Sequence, residues 1–200
     1  VPFSRTLQPT APRMKYRRRR DEVKTVVHWG QRKLLLSEIE FLTLHSLPGS
    51  LIVYAGAAPG THIDYLADLF PNVNFELVDP APFTVKQRLP RIRLRENSLF
   101  TDDLAREYAA QNTDILFISD IRSADPSVLS EDETEQQVAQ DMKMQSTWHR
   151  LMNARNSMFK FRLPWKPGKT TYLAGAIYLP IWGPITTTES RLIVERGAED

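Results

Sequence analysis

The segment VYAGAAPGTHIDYL at residues 53–66 has the residue types that hold a nucleotide-like cofactor. An apolar run leads into Gly56, and Pro59 and Gly60 follow before a helical pattern begins. In open α/β sheets such cofactors lie outside the carboxyl ends of the strands, where glycines let the ligand approach the backbone. Asp79 ends the next apolar run, 23 residues after Gly56, and a carboxylate there can accept both ribose hydroxyls. The spacing predicts a nucleoside-binding turn.

The turn alone does not select the cofactor. Its sequence, Gly56-Ala57-Ala58-Pro59-Gly60, lacks the G-x-G-x-x-G pattern that brings a backbone against a pyrophosphate. The glycines leave room for an adenosine, and the spacing to the acid suits NAD and S-adenosylmethionine equally. A turn that uses glycine only for its backbone geometry is the alternative interpretation.

The elements that must position this turn alternate between apolar strands and helices. KLLLSEIEFLTLHS predicts a helix with Lys33 in its first turn, and Ser130 with Glu133 predicts a capping box that begins a long helix. The alternation predicts a doubly wound α/β sandwich with about seven mainly parallel strands and helices on both faces. The predicted strands are SLIVYAG, NFELVDP, IRLREN, DILFIS, SMFKFRLP, TYLAGAIYLPIW and ESRLIVER.

Composition indicates one domain and a polyanionic partner. A chain of 200 residues, 42% of them hydrophobic, can bury one α/β core. Residues 1–33 hold ten Lys or Arg and two acids, whereas the other 167 residues have a net charge of −6. This asymmetry favours nucleic acid as the partner, with a merely solvated arm as the alternative. We therefore predict a basic N-terminal arm at residues 1–30 and the main domain at residues 31–200.

Several kinds of site are disfavoured by the sequence. The chain has no cysteine, which excludes disulfides and thiolate metal ligands, and its four histidines have no zinc-motif spacing, so no metal is expected. No apolar run approaches the ~18 residues that a bilayer requires, so no membrane partner is expected either.

The quoted turn, with FELVDP and ILFISDIRS after it and KLLLSEIEFL before it, resembles the poxvirus cap-specific mRNA (nucleoside-2′-O)-methyltransferase family. SMFKFRLPW and TTTESRLIV follow in the family's order, so the resemblance covers roughly residues 31–195. FtsJ-type RNA methyltransferases are more distantly similar. The resemblance implies a Rossmann-like methyltransferase fold, S-adenosyl-L-methionine as cofactor, S-adenosyl-L-homocysteine as product and the capped 5′ end of RNA as partner.

The family uses a Lys-Asp-Lys-Glu tetrad, and its motifs match Lys33, Asp120, Lys160 and Glu189 here. Attack of a ribose 2′-hydroxyl on a sulfonium methyl needs a positioned nucleophile and a proton acceptor, but no metal. Lys160 is the candidate base, because a desolvated amine near another cation can accept a proton. Each residue also has an alternative interpretation. Lys33 would be a solvated cation at a helix end, Asp120 a turn residue, and Lys160 with Glu189 an ordinary cross-strand ion pair.

The resemblance also implies binding residues. Trp165, which follows RLP, would stack on the cationic methylated guanine, and Tyr16 is our candidate for a second stacking ring. A structural tryptophan is the alternative for Trp165. Ala81 and Pro167 replace an arginine and an acid of the family, so one cofactor contact and one cap contact should differ. The cofactor residues would be Gln31, Tyr54, Gly56, Ala58, Pro59, Gly60, His62, Asp79, Phe100, Thr101 and Asp120, and the phosphate-binding residues Arg122, Arg155 and Arg162.

Other functions remain open at this point. An FtsJ-like enzyme would methylate internal RNA positions and would need no cap pocket. An RNA-binding accessory subunit of the poly(A) polymerase processivity type would need no catalysis, and the incomplete glycine pattern disfavours a NAD-dependent oxidoreductase. The resemblance further implies capping or polyadenylation subunits as partners, and a cytoplasmic location in the factory or virion of a cytoplasmically replicating virus.

Overall fold

The computed structural model describes residues 4–16, 29–87, 89–125, 128–165, 168–181 and 187–199. Within these ranges, a seven-stranded sheet lies between two layers of helices. The helices are α1 (Trp29–His45), α2 (Ile63–Leu69), α3 (Asp102–Ala109) and α4 (Glu131–Met152). The strands are β1 (Leu51–Ala55), β2 (Asn74–Val78), β3 (Ile92–Arg95), β4 (Ile115–Ser119), β5 (Asn156–Arg162), β6 (Ala176–Tyr178) and β7 (Glu189–Glu195).

The sheet has the order β3-β2-β1-β4-β5-β7-β6. Strands β1 to β5 are parallel to one another, whereas β7 runs antiparallel to both β5 and β6. Because Arg162 at the end of β5 pairs with Glu189 at the start of β7, the beginning of β7 lies at the carboxyl edge of the parallel strands. The predicted fold class, a mainly parallel sheet with helices on both faces, is confirmed.

Side-chain alternation along β1 divides the core into two layers. Ile52 and Tyr54 belong to the apolar cluster that α1 and α2 cover, whereas Val53 and Ala55 belong to the cluster under α3 and α4. All residues of β1 and β4 are buried, as expected for parallel strands covered on both faces. The two central strands therefore hold their carboxyl ends rigidly where a site can form.

Two helix starts were predicted from the sequence, with different outcomes. Ser130 and Glu133 form the predicted capping box, since the Ser130 hydroxyl accepts from the Glu133 N–H at 3.3 Å and the Glu133 carboxylate accepts from the Ser130 N–H at 2.8 Å. Helix α1 begins at Trp29, earlier than predicted, so Lys33 lies in its second turn. The predicted arm boundary at residue 30 therefore falls inside α1.

The prediction of one long buried strand at TYLAGAIYLPIW was wrong. Of its described residues, 171–181, only Ala176–Tyr178 forms a strand, β6, and this strand lies at the edge of the sheet with Ala176 exposed. Pro180 has no N–H to extend the ladder, and an apolar run by itself does not distinguish an edge strand from a central one. Among the helices in the described ranges, none is long and apolar enough to cross a membrane.

Candidate active site

The predicted nucleoside-binding turn joins β1 to α2 at the carboxyl edge of the sheet. Gly56 has a φ of +77° and Gly60 a φ of +65°, a region that side chains disfavour. A Cβ on Gly56 would lie 2.9 Å from the backbone nitrogen of Ile121, just after β4. The glycine therefore lets the ends of β1 and β4 approach each other, which brings Asp120 next to the turn.

Asp79 follows β2 and holds the turn in place. Its Oδ2 accepts from the Ala58 N–H at 3.0 Å and its Oδ1 accepts from the Ala81 N–H at 2.8 Å. The Pro59 carbonyl accepts from the Thr84 N–H at 2.8 Å on the other side. Each carboxylate oxygen has a second lone pair, so this half-buried Asp79 can still accept from ribose hydroxyls.

Gln31 and His62 connect α1 to the start of α2. One ring nitrogen of His62 lies 2.8 Å from Gln31 Oε1, and the other lies 3.0 Å from Glu38 Oε1. His62 is buried and Glu38 has no exposed surface. Both ring nitrogens thus bond to residues of α1, so His62 joins the two helices. Its side chain forms no cap hydrogen bond with α2.

Two predicted cofactor residues lie in the core. Tyr54 is 0% exposed, and burial, followed by the charges of Glu38 and Asp120, raises the pKa of its hydroxyl. Phe100 is buried against Trp148, with the ring centroids 4.8 Å apart. Neither ring presents a surface to a ligand in this structure. Thr101, in contrast, is exposed, and its hydroxyl accepts from the Leu104 N–H to cap α3.

The four residues of the predicted tetrad lie together at the carboxyl edge. Lys33 Nζ donates to Glu189 Oε2 at 2.7 Å, and Lys160 Nζ donates to Asp120 Oδ2 at 3.3 Å. Lys33 comes from α1, Asp120 follows β4, Lys160 lies on β5 and Glu189 begins β7. Four separate elements therefore converge on one cluster.

Arg191, which sequence reasoning missed, joins the two ion pairs. Its guanidinium lies 3.2 Å from Glu189 Oε1 through NH1 and 3.5 Å from Asp120 Oδ1 through NH2. Arg191 is two residues after Glu189 on β7 and pairs with Lys160 in register, so the three side chains share a face of the sheet. The i, i+2 spacing indicates that Glu189 and Arg191 share a face of a strand, but the pairing of that strand with β5 is not visible in the sequence.

The cluster of Lys33, Asp120, Lys160, Glu189 and Arg191 contains three cations and two carboxylates. Burial would raise the pKa of Glu189, but the charges of Arg191 and Lys33 outweigh it and lower that pKa to about 2. Burial lowers the pKa of Arg191, but Asp120 and Glu189 raise it more, and the net direction is upward. With an excess of positive charge, the cluster can stabilise an anionic oxygen.

A pair of parallel aromatic rings joins the N-terminal segment to the chain just after β5. Tyr16 and Trp165 have ring centroids 5.4 Å apart and planes within 8° of each other. The indole N–H of Trp165 donates to Thr188 Oγ1 at 3.2 Å. Both rings are partly exposed, so this stack is accessible to a planar ligand.

The basic residues predicted to contact phosphates lie in different environments. Arg162 is 9% exposed, lies 2.8 Å from Glu135 and has its Cζ 4.0 Å from the Trp165 ring centroid. Arg155 forms two hydrogen bonds with Asp114, at 2.7 and 2.9 Å, at the amino ends of β4 and β5. The Arg155 guanidinium is thus used within the fold, because charge patterns do not reveal which arginines are paired, whereas phosphate contact by Arg162 stays a prediction.

Arg122 is half-buried two residues after Asp120. Burial lowers the pKa of its guanidinium, against the opposing charge of Asp141. Its contact with phosphate stays a prediction. Pro167 lies outside the described residues. In the ranges that the structure describes, no group of three or more His, Asp or Glu side chains could hold a metal ion.

Comparisons with known proteins find a matching family, named relatives and a similar fold. The profile of a family described as poly A polymerase regulatory subunit matches residues 6–199. Two proteins named cap-specific mRNA (nucleoside-2′-O-)-methyltransferase, from the Lausanne and Uriarra strains of Myxoma virus, are each 32% identical over 156 residues. These matches cover 70% of this chain and 44% of each relative, so the chain spans less than half of their length.

One solved structure is similar in fold. It is bluetongue virus VP4, titled a multifunctional RNA-capping production-line, and it matches with a TM-score of 0.61 at 13% identity. The match covers 80% of this chain and 26% of that chain. At this level of identity the likeness concerns the fold alone.

Proposed function

The chain belongs to the poly(A) polymerase regulatory subunit family, and we propose that it transfers a methyl group from S-adenosyl-L-methionine to the ribose 2′-hydroxyl of the first transcribed nucleotide of capped mRNA. The observation that carries this proposal is the convergence of Lys33, Asp120, Lys160 and Glu189 beside the glycine turn. The relatives named as cap-specific 2′-O-methyltransferases support the same reaction.

The residues at the turn fit the proposed cofactor. A side chain at Gly56 would collide with the backbone after β4, so the glycine keeps the turn open beside Asp120. Asp79 would accept from the ribose hydroxyls, and Gln31 and Thr101 are accessible polar groups on either side. When bound, S-adenosyl-L-methionine supplies an electrophilic methyl group on a sulfonium.

The cluster's own residues would prepare the nucleophile. As the neutral amine, Lys160 would accept the proton of the 2′-hydroxyl and become the third cation of the cluster, and Asp120 fixes the direction of the Lys160 side chain. Lys33, Glu189 and Arg191 hold Asp120 and Lys160 in place through a continuous set of ion pairs. The net positive charge would stabilise the oxygen as it loses its proton. This arrangement needs no covalent intermediate.

Trp165 and Tyr16 would recognise the cap. A methylated guanine has a delocalised positive charge, which favours stacking on the faces of electron-rich rings. A base held between two rings needs the ring planes about 7 Å apart, twice a contact distance of about 3.5 Å. With centroids at 5.4 Å, the two rings would separate to admit the base. The half-buried Arg122 would contact the phosphates that follow.

The test uses radiolabelled S-adenosyl-L-methionine and two short RNAs that differ only in the cap. We expect label on the 2′-oxygen of the first transcribed nucleotide of the capped RNA and little on the uncapped RNA. Label at internal positions of both RNAs would instead indicate an FtsJ-like enzyme. No label on either RNA would contradict methyl transfer altogether.

The family description favours a second candidate function, an RNA-binding accessory subunit that acts with other capping or polyadenylation subunits. Residues 1–33 contain ten basic residues and two acids, and this positive charge suits the binding of RNA. This candidate would be preferred if the protein bound RNA tightly in a gel-shift assay but transferred no label. In either case we propose a cytoplasmic location, because the relatives are poxvirus proteins and the resemblance implies a cytoplasmically replicating virus.

A further inference from the structure

The N-terminal segment extends the sheet beyond β6. The Leu7 N–H donates to the Ile177 carbonyl at 2.7 Å, and the Leu179 N–H donates to the Arg5 carbonyl at 2.8 Å. Thr6 and Tyr178 form the antiparallel bridge between these two bonds. Residues 5–7 therefore occupy part of an edge that would otherwise be unpaired.

Arg5 fixes this segment to two other elements. Its Nε and NH2 donate to the two carboxylate oxygens of Glu40 at 3.0 and 2.6 Å, and its NH1 donates to the Leu179 carbonyl at 2.7 Å. A bidentate arginine–carboxylate pair is geometrically specific and among the stronger ion pairs. We call this contact the Arg5–Glu40 clamp. It joins the segment to α1 and to the residue after β6.

The same segment supplies the ring that stacks on Trp165. Between the bridge at Thr6 and the stack at Tyr16, nearly all side chains are exposed, and an Ala11 N–H to Gln8 carbonyl bond of 2.9 Å closes one turn. The segment thus contacts the domain chiefly at its two ends. Without the clamp, only the bridge at Thr6 and the chain connection to α1 would hold the segment, and the Tyr16 ring would sample more positions.

We propose that Arg5 and Glu40 are positioning residues for cap recognition, because the clamp holds Tyr16 at the face of Trp165. This inference rests on the proposed function of the two rings. The clamp keeps Tyr16 opposite Trp165, so the rings need only move slightly apart when the base enters, and less conformational entropy is lost than if Tyr16 were free. The clamp lies beside β6, and three strands separate β6 from β1 and its glycine turn, so the clamp should affect the cap and leave the bound methyl donor unaffected.

The first experiment measures binding of 7-methylguanosine triphosphate and of S-adenosyl-L-methionine by calorimetry. We expect Arg5→Ala to weaken binding of the cap analogue about tenfold and to leave the donor's Kd unchanged. Arg5→Glu and Glu40→Arg should each weaken cap binding, and the double charge reversal should restore much of it. Arg106→Ala is the matched control, since Arg106 is exposed and pairs only with Asp103 on its own helix among described residues.

A purely structural role of the clamp would change different quantities. It would lower Tm and weaken both ligands together. With capped RNA as substrate, the positioning role predicts a higher KM for RNA and an unchanged kcat. A reduced kcat at saturating RNA would contradict it.

The second experiment replaces the clamp with a covalent bond. Thr6 and Tyr178 form a non-hydrogen-bonded antiparallel pair, in which Cα atoms are about 4.5 Å apart and within reach of a disulfide. The chain has no cysteine, so Thr6→Cys with Tyr178→Cys introduces the only thiols. In the Arg5→Ala background, oxidation should restore cap binding and reduction should remove it again.

The outcomes separate this inference from the proposed function. A wild-type protein that does not bind the cap analogue would overturn both. A wild-type protein that binds it, with Arg5→Ala and Arg5→Glu equal to wild type, would overturn the clamp alone. An oxidised disulfide variant that stays as weak as the reduced one would do the same.

Discussion

Lys160 and Arg191 lie opposite each other on β5 and β7 and contact the two oxygens of one carboxylate, that of Asp120. Lys160 approaches Oδ2 at 3.3 Å and Arg191 approaches Oδ1 at 3.5 Å. Since Arg191 also contacts Glu189, the carboxylates cannot rearrange independently. The tetrad is therefore better described as a group of five residues with Arg191 at its centre.

The first prediction concerns Arg191. Arg191→Lys keeps the charge but cannot bridge two carboxylates as a planar guanidinium does. We expect a folded protein whose kcat for methyl transfer is at least about tenfold lower, because Asp120 no longer holds Lys160 in one direction. Arg106→Lys, a substitution at an exposed arginine, is the control. Wild-type kcat in Arg191→Lys would show that the bridge is not needed.

The second prediction concerns the candidate base. We expect Lys160→Ala to lower methyl transfer by about 10²–10⁴-fold, the usual contribution of a positioned general base. Binding of S-adenosyl-L-methionine should survive, since the turn and Asp79 do not depend on Lys160. Single-turnover rates and calorimetry measure the two quantities separately. Lys143→Ala, at an exposed position on α4, controls for loss of a lysine, and undiminished turnover in Lys160→Ala would remove the assignment.

The predictions from the sequence agree best with the structure for elements that depend on neighbouring residues in the chain. The buried strands β1 and β4 and the Ser130 capping box follow from residue order alone. Arg191 does not, because its role depends on antiparallel pairing with a strand about 30 residues away in the chain. The same limit applies to Arg155 and Arg162, whose acidic partners lie on other elements. Whether a cationic side chain is available to a ligand therefore depends on acidic partners that are distant in sequence, and residue type alone does not reveal them.

The third prediction concerns pH and Glu189. Because Arg191 and Lys33 lower the pKa of Glu189 from 4.5 to about 2 against the effect of burial, the unfolded chain binds its proton more readily than the folded protein does. Glu189 therefore contributes stability above about pH 4.5, and this contribution is lost as the pH falls towards 2.

Urea unfolding of wild type and Glu189→Gln at several pH values measures this contribution. At pH 7 the variant should be less stable, because two cations lose their partner. The difference between the two proteins should shrink through the window from pH 4.5 to 2. A difference that stayed constant with pH would contradict the ion-pair origin of the shift.

The fourth prediction concerns the aromatic pair. Trp165 is held by its own N–H bond to Thr188 and by Arg162 beneath the ring, so its plane is fixed before a cap arrives. Trp165→Phe keeps a ring and should weaken binding of 7-methylguanosine triphosphate only a few-fold. Trp165→Ala removes stacking worth about 1–3 kcal/mol and should weaken binding about 5- to 150-fold. Tyr65→Ala, which removes an exposed aromatic on α2, is the control.

Because stacking favours the cationic base, unmethylated GTP should be affected less than the methylated analogue in every variant. Equal losses for both nucleotides would mean that Trp165 supports the fold and does not read the cap.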